Sequence, residues 1–229
     1  MGHASPDDDC ANYEKLGKIL KSNCISHPPH DCTWGGVSHV TNWDHRLETE
    51  QLIVPWVTCY ADIPVQALSI HLKKYGKFGV ALPRSLLTKY GARPVMYIPM
   101  RSDDWESING LTLLRDIEAI VKGFHEHVVD KQGAESKSDR TLGEKPNTPE
   151  TAIFEMESMT FKDFLAFIKP FNSELADDHP SNFYLEREWR KYGNMKFEIT
   201  QISTVVVAKG YAERVARDFP MYKGRTCEI

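Results

Sequence analysis

The sequence predicts an α+β fold: a single domain over residues 1–229 with a mixed or mainly antiparallel central sheet and flanking helices. Three observations predict it. Short strand-like apolar runs and short amphipathic helical patterns interleave irregularly, with no internal repeat. Glycine and proline punctuate most of the boundaries between them. And with 229 residues, 41% hydrophobic and 26% charged, the chain is large enough to bury a substantial core.

The elements follow in order. "ANYEKLGKILKSNC" sets Tyr13, Leu16, Ile19 and Leu20 on one helical face, with Asp9 or Asn12 as the N-cap. "ISHPPHDCTWGG" is a loop by its prolines and glycines. "LIVPWVTCYADIP" reads as a buried strand ending in a turn. "PVQALSIHLKKYG" reads as a helix with Pro64 in its first turn and Gly76 at its end. "FGVALP" is a short strand, "RSLLTKYG" a short helix stopped by Gly91, and "RPVMYIPM" a further strand.

"GLTLLRDIEAIVKGFHEHVV" is a long amphipathic helix with Leu111, Leu114, Ile117, Val121, Phe124 and Val128 in step. Gly123 costs it about 1 kcal/mol relative to alanine, so the sequence allows a break there. Residues 130–150 are polar and carry two prolines, a loop excursion too short to separate independent domains. "FEMESM" is a strand candidate. "TFKDFLAFIKPF" is a short helix with Thr160 and Asp163 in a capping-box arrangement and Phe161, Phe164, Leu165 and Ile168 inward. "SNFYLEREWRKYG" reads as a strand, and "KFEITQISTVVVAKG" as another or a bent pair. "YAERVARDFP" closes the chain as a helix with Ala212, Val215 and Ala216 inward.

Charge and composition narrow the function. A formal net charge of −4 argues against a dedicated nucleic-acid binder, though a local basic groove remains compatible with it. No apolar run reaches the roughly 18 residues that a membrane span needs. The opening "MGHASPDDDCANYEK" has neither a basic n-region nor an apolar h-region, and five irregularly spaced cysteines suit reduced thiols. A cytoplasmic protein is expected.

Several constellations could carry chemistry. Cys24, His27, His30 and Cys32 are all metal-binding types within nine residues. Their C-x2-H-x2-H-x-C spacing is not a usual zinc pattern, so a polar loop is the favoured reading and no metal is expected. Asp62 precedes a helix and reads first as its N-cap, while Tyr60 and Asp62 also stand where strand ends hold ligands. His3 and Ser5 would share one face of a strand, where hydroxyl and imidazole can bind one ligand. In "EREWR", strand alternation puts Tyr184, Glu186, Glu188 and Arg190 on a common face, either a solvated edge held by ion pairs or the wall of a cleft. Signatures of serine hydrolases, P-loops, dinucleotide-binding folds and zinc peptidases are absent.

"LGKILKSNCI", "VTCYADIPVQALSIHLKKYGKFGVALPRSLLTKYGARPVMYIP", "FIKPF", "NFYLEREWR" and "TVVVAKGYAERVARDFP" together carry a resemblance to the AbiGi-type abortive-infection proteins. That family is described as antitoxins of bacterial phage-resistance systems, so the resemblance implies phage defence and a protein toxin as partner. A weaker resemblance is to ADP-ribosyltransferases, in the order of an early H-x-S/T pair, a middle aromatic and a late glutamate. It implies NAD as substrate, with His3 and Ser5 binding it and Tyr60 stacking on the nicotinamide. Glu188 or Glu186 would be the catalytic acid that stabilises the oxocarbenium-like transition state. A nucleic acid or a protein would then accept the ADP-ribose. The competing expectation is a non-catalytic antitoxin that binds and neutralises a toxin.

Overall fold

The fold comes from a computed structural model that describes residues 5–28, 30–33, 36–100, 110–135, 159–179 and 181–229. Along the chain run α1 (Asp9–Ser22), β1 (Cys24–Ile25), β2 (His39–Thr41), β3 (Ile53–Pro55) and β4 (Val57–Ala61). Next come α2 (Ser69–Tyr75), β5 (Gly79–Ala81), α3 (Arg84–Lys89), β6 (Arg93–Pro94) and β7 (Met96–Met100). The long helix α4 (Gly110–Glu135) precedes β8 (Ile168–Asn172), β9 (Glu188–Tyr192), β10 (Met195–Lys196) and β11 (Thr204–Val207). Helix α5 (Ala212–Asp218) and β12 (Arg225–Glu228) complete it. The class is α+β. Among the described residues the strands form five small sheets with mainly antiparallel pairing; β7–β8 and β11–β12 are the parallel pairs. No helix among them is long and apolar enough to cross a membrane.

The chain divides into two compact units. The first comprises Met1–Val37, Trp56–Val95 and Asp177–Ile229. Its main core packs α1 and α5 on the sheet β12-β11-β5, with Leu16, Leu20, Val205, Val207 and Val215 almost fully buried. Asp8, rather than Asp9 or Asn12, caps α1: its carboxylate accepts from the Ala11 N–H at 2.9 Å. Asn12 lies inside the helix, buried, and donates to the Ser5 carbonyl at 2.9 Å. Gly76 ends α2 at φ 86°, where a Cβ would stand 3.1 Å from both the Asn12 amide and the Pro6 carbonyl. Only glycine meets both conditions without strain. Of the closing helix, Val215 alone is fully buried, while Ala216 is exposed.

The second unit comprises Ser38–Pro55 and Met96–Ala176. Helix α4 continues through Gly123 without a break. Leu114 and Val121 are buried as the periodicity requires, but Phe124 is 46% exposed, together with Leu113 and Ile120. Val128 and most of the polar excursion and of "FEMESM" lie outside the described side chains. "TFKDFLAFIKPF" is not one helix. A π-turn (Thr160–Phe164) and a 3-10 turn (Leu165–Phe167) hand over at Ile168 to β8. Thr160 and Asp163 form no capping box, because the turn begins from Met159 without a side-chain cap. Phe161, Leu165 and Ile168 are buried, while Phe164 is exposed.

A buried carboxylate ties this unit together. Glu118, on the inner face of α4, accepts from the Leu47 N–H at 2.9 Å, Arg46 Nε at 3.1 Å and Lys122 Nζ at 3.0 Å. Burial opposes its ionisation, but the Leu47 N–H and the two cations outweigh it and hold its pKa below the ordinary value. A lowered folded pKa means that this stabilisation is complete above the unfolded value, about 4.3, and is lost as pH falls through the folded one. Glu118→Gln should therefore cost about 1–3 kcal/mol at neutral pH in urea unfolding. The gap from wild type should close as the pH drops below about 4; a gap independent of pH would contradict the role given to this carboxylate.

Candidate functional site

The candidate residues gather around the three-stranded sheet β4-β9-β6 of the first unit. In its antiparallel register Ala61 stands opposite Glu188, Tyr60 opposite Trp189, Cys59 opposite Arg190, and Arg93 opposite Arg190. Directly opposed residues share a face and neighbours along a strand alternate. Cys59, Ala61, Glu188, Arg190 and Arg93 thus occupy one face, and Thr58, Tyr60, Trp189 and Lys191 the other.

Tyr60 belongs to the interior. It packs with Trp189 and Leu82 against the cluster Leu86, Leu87, Ala92 and Met195. Its hydroxyl shares a 2.9 Å hydrogen bond with Thr58 Oγ1 and donates to the Met195 sulfur at 3.2 Å. Burial raises its pKa well above that of a free phenol.

The "SNFYLEREWRKYG" stretch is a strand only from Glu188. Tyr184–Glu186 form a 3-10 turn and Arg187 takes the left-handed conformation, φ 46°. The expected common face of Tyr184, Glu186, Glu188 and Arg190 therefore does not exist as a continuous strand face. Tyr184 is 49% exposed, whereas the other three are buried. Glu186 turns toward α2, accepting the Tyr75 hydroxyl at 2.6 Å and lying 3.7 Å from Lys74 Nζ. Lys74 also donates to the Asn182 carbonyl at 2.6 Å and sits 4.6 Å above the Phe183 ring. Glu188 instead pairs with Arg190 two residues on, Oε1 to Nε at 2.7 Å, both nearly enclosed. Neither a solvated edge nor an open cleft wall describes these acids: they are internal struts.

Beside β4 lies a cavity of about 380 Å³ whose walls include Cys59, Tyr60, Asp62, His71, Tyr75 and Phe78; neither Glu186 nor Glu188 lines it. Asp62 is not an N-cap, since the turn after it starts from Pro64. Its carboxylate receives Arg84 at 3.0 and 3.1 Å and Arg187 at 3.5 Å. His71 packs its ring against Tyr75, 4.5 Å between centroids, and its buried Nδ1 has no hydrogen-bond partner. Burial lowers its pKa against the opposing pull of Glu186, so the imidazole is neutral near pH 7. The structure thus joins Glu186 to His71, Lys74 and Tyr75, none of which the sequence reading selected. Their i, i+3, i+4 spacing in "SIHLKKYG" was the available signal, since such residues share one helix face.

The remaining candidates are placed as follows. His3 lies outside the described residues. Ser5 is exposed in the turn before α1, its Oγ accepting the Asp7 N–H at 3.4 Å. Tyr60 and Glu188 are on opposite faces of the sheet, so the register does not bring stacker and acid together. Cys24 is buried, and burial, reinforced by Cys32, raises its thiol pKa. His27 stacks on Trp56 at 5.7 Å, while His30 bonds back to Ser26. Among the described residues no three His, Cys, Asp or Glu side chains converge as metal ligands would.

Two outcomes test these assignments. Glu188→Ala removes the 2.7 Å partner of a buried guanidinium and should lower the unfolding free energy by about 3 kcal/mol, read from the urea midpoint. A change below about 0.5 kcal/mol would mean that the pair is not structural. Tyr60 keeps its proton in the fold but loses it near pH 10 when unfolded, so its stabilisation is complete below pH 10 and lost above it. Urea midpoints should fall as pH rises above about 10, less steeply in Tyr60→Phe; equal slopes would refute the enclosed phenol.

No curated protein and no solved structure matches the chain. The family described as "Putative abortive phage resistance protein AbiGi, antitoxin" matches residues 40–220, which span both units and the whole sheet β4-β9-β6. With most of its length matched, the chain belongs to the AbiGi family of abortive phage resistance proteins.

Proposed function

We propose that this AbiGi member acts as a non-catalytic antitoxin that neutralises a protein toxin by binding it. The observation that carries the reading is the outer face of α4, where Leu113 (43%), Ile120 (57%) and Phe124 (46%) are exposed on one side of the helix. A ridge of large apolar side chains left to water is what a protein partner covers. The family description supplies the class of partner, a toxin.

The same geometry gives the transferase alternative less support. NAD chemistry would ask Glu188 or Glu186 to stabilise a developing cation, yet each acid is already held by an internal partner at 2.7 or 2.6 Å. Freeing either would leave a buried group unpaired, at a cost of several kcal/mol.

Co-expression with a toxin encoded beside the gene should restore growth and yield a stable complex. The double variant Ile120→Gln/Phe124→Gln, folded by circular dichroism, should lose both. A parallel incubation with NAD and cell lysate or nucleic acid should leave NAD unchanged, alike for wild type and Glu188→Gln. Nicotinamide release by wild type that a still-folded Glu188→Gln loses would overturn the antitoxin reading in favour of catalysis.

A further inference from the structure

Helical geometry gives α4 one continuous outer face. At about 100° per residue, Leu113, Asp116, Ala119, Ile120, Gly123 and Phe124 fall within roughly 140° of its circumference. All six are exposed, and the buried positions Leu114, Glu118 and Val121 lie on the opposite side.

This face has relief. Asp116, Ile120 and Phe124 follow one another at i, i+4 and i+8, which makes a ridge of side chains. The neighbouring row, Ala119 and Gly123, carries almost no side chain and leaves a trough beside the ridge. Gly123 is the telling position. It sits in ordinary right-handed helix, where glycine is the poorest helix former after proline. A Cβ there would meet no other part of the fold within 4 Å, so packing within the unit does not ask for glycine. What glycine does provide is a notch through which another backbone can come close.

The charges on the face have one sign. Asp116 lies on the ridge, and Glu126 is exposed at the edge of the trough. The cations that border the face are turned to acids of their own unit: Arg115 Nε is 3.3 Å from Glu48 and Lys122 Nζ 3.0 Å from Glu118. Among the described residues the face itself carries no lysine or arginine.

We infer that this face receives a basic amphipathic helix of the toxin, an inference that rests on the reading of α4 as the toxin's contact. An i±4 ridge beside an i±4 trough is the surface that a second helix fits, ridge into groove, and small residues in the trough let the two axes approach closely. The partner's apolar stripe covers Leu113, Ile120 and Phe124, with a large side chain in the notch at Gly123. Lysine or arginine beside that stripe faces Asp116 and Glu126, which the fold leaves unanswered by the neighbouring cations.

The test is calorimetric titration of the full chain with the toxin encoded beside the gene. Gly123→Leu should raise the urea midpoint, because leucine is the better helix former, and yet weaken the complex about tenfold or more by filling the notch. Gly123→Ala, with a single methyl, should fall between wild type and Gly123→Leu on both measures. Asp116→Lys should weaken the complex about fivefold at low salt and less at high salt. Among peptides of about 20 residues that tile the toxin, the one that binds should be basic and gain helical circular dichroism on binding. Full affinity in Gly123→Leu, with binding lost in Ile120→Gln/Phe124→Gln, would overturn the helix in the notch and leave the toxin contact standing. Full affinity in both variants would overturn the toxin contact on α4 and this inference with it. A binding peptide without helical signal would overturn the inference, as would a dimer of the chain alone that Gly123→Leu abolishes, since the notch would then serve a second copy.

Discussion

Arg187 takes φ 46°, and that one left-handed residue decides what every acid around the sheet does. A side-chain-bearing residue pays about 1–2 kcal/mol for this conformation. Here it is held from three sides. Its N–H bonds to the Tyr184 carbonyl at 3.4 Å, its carbonyl accepts the Asp62 N–H at 3.2 Å, and its guanidinium reaches the Asp62 carboxylate at 3.5 Å. Because the chain turns there, Glu186 leaves the strand and meets Tyr75 on α2. Glu188 begins a strand whose next same-face residue is Arg190. An unbroken strand would have lined up both glutamates on one face, as two like charges in need of a ligand or a cation. The kink separates them and gives each a partner.

Separating and burying the acids has an electrostatic consequence. A carboxylate on a short side chain stays where its hydrogen bonds put it, whereas lysine and arginine bury their stems and carry their charge out to water. Glu186 and Glu188 are enclosed together with their cationic partners Lys74 and Arg190, while the Arg84 and Arg187 side chains reach water. The Asp62 carboxylate shows the balance locally: it answers two guanidiniums at once, so its neighbourhood keeps a net positive charge. Arg93 directly opposite Arg190 across two strands adds to the same excess, an arrangement disfavoured unless anions lie nearby. Glu188 supplies one such anion from within the fold.

What was legible in the sequence was what short-range periodicity encodes. The helices at Asp9–Ser22, Ser69–Tyr75, Arg84–Lys89 and Ala212–Asp218 follow from apolar spacing, and the middle two also from Gly76 and Gly91 at their ends. The errors share a cause, since each depends on a partner distant in sequence. Phe183 to Arg187 have strand-forming composition, but Glu186 is captured by Tyr75, 111 residues away. "FLAFIKPF" has helical spacing, yet from Ile168 its backbone pairs in parallel with Met96–Met100. Strand β12 escaped notice because its four residues, Arg225–Glu228, are ordered by parallel pairing with β11 and not by their own pattern. Of the candidate site, Tyr60, Glu186 and Glu188 could be named from the sequence, but their partners, Met195, Tyr75 and Arg190, are fixed only by the fold. A residue type names what a side chain can do, and only its neighbours fix whether it is left to do it.

Helix α4 shows the same separation of type from role in the opposite sense. On its inner side sits Glu118, 5% exposed, while Ile120 stands 57% exposed two residues later. Burial alone would favour the reverse, because a charged group inside costs several kcal/mol unless paired and an isoleucine outside forgoes about 1.5–3 kcal/mol. The inner anomaly has its reason within the unit: Glu118 satisfies the Leu47 N–H and draws in Arg46 and Lys122, fixing the turn that faces the helix. Among the described residues the buried positions of α4 are Leu114, Glu118 and Val121, and Leu113, Ile120 and Phe124 stay outside them. Leu113, Ile120 and Phe124, at helical spacing along the 26-residue α4, are the apolar surface on which the proposed toxin contact rests.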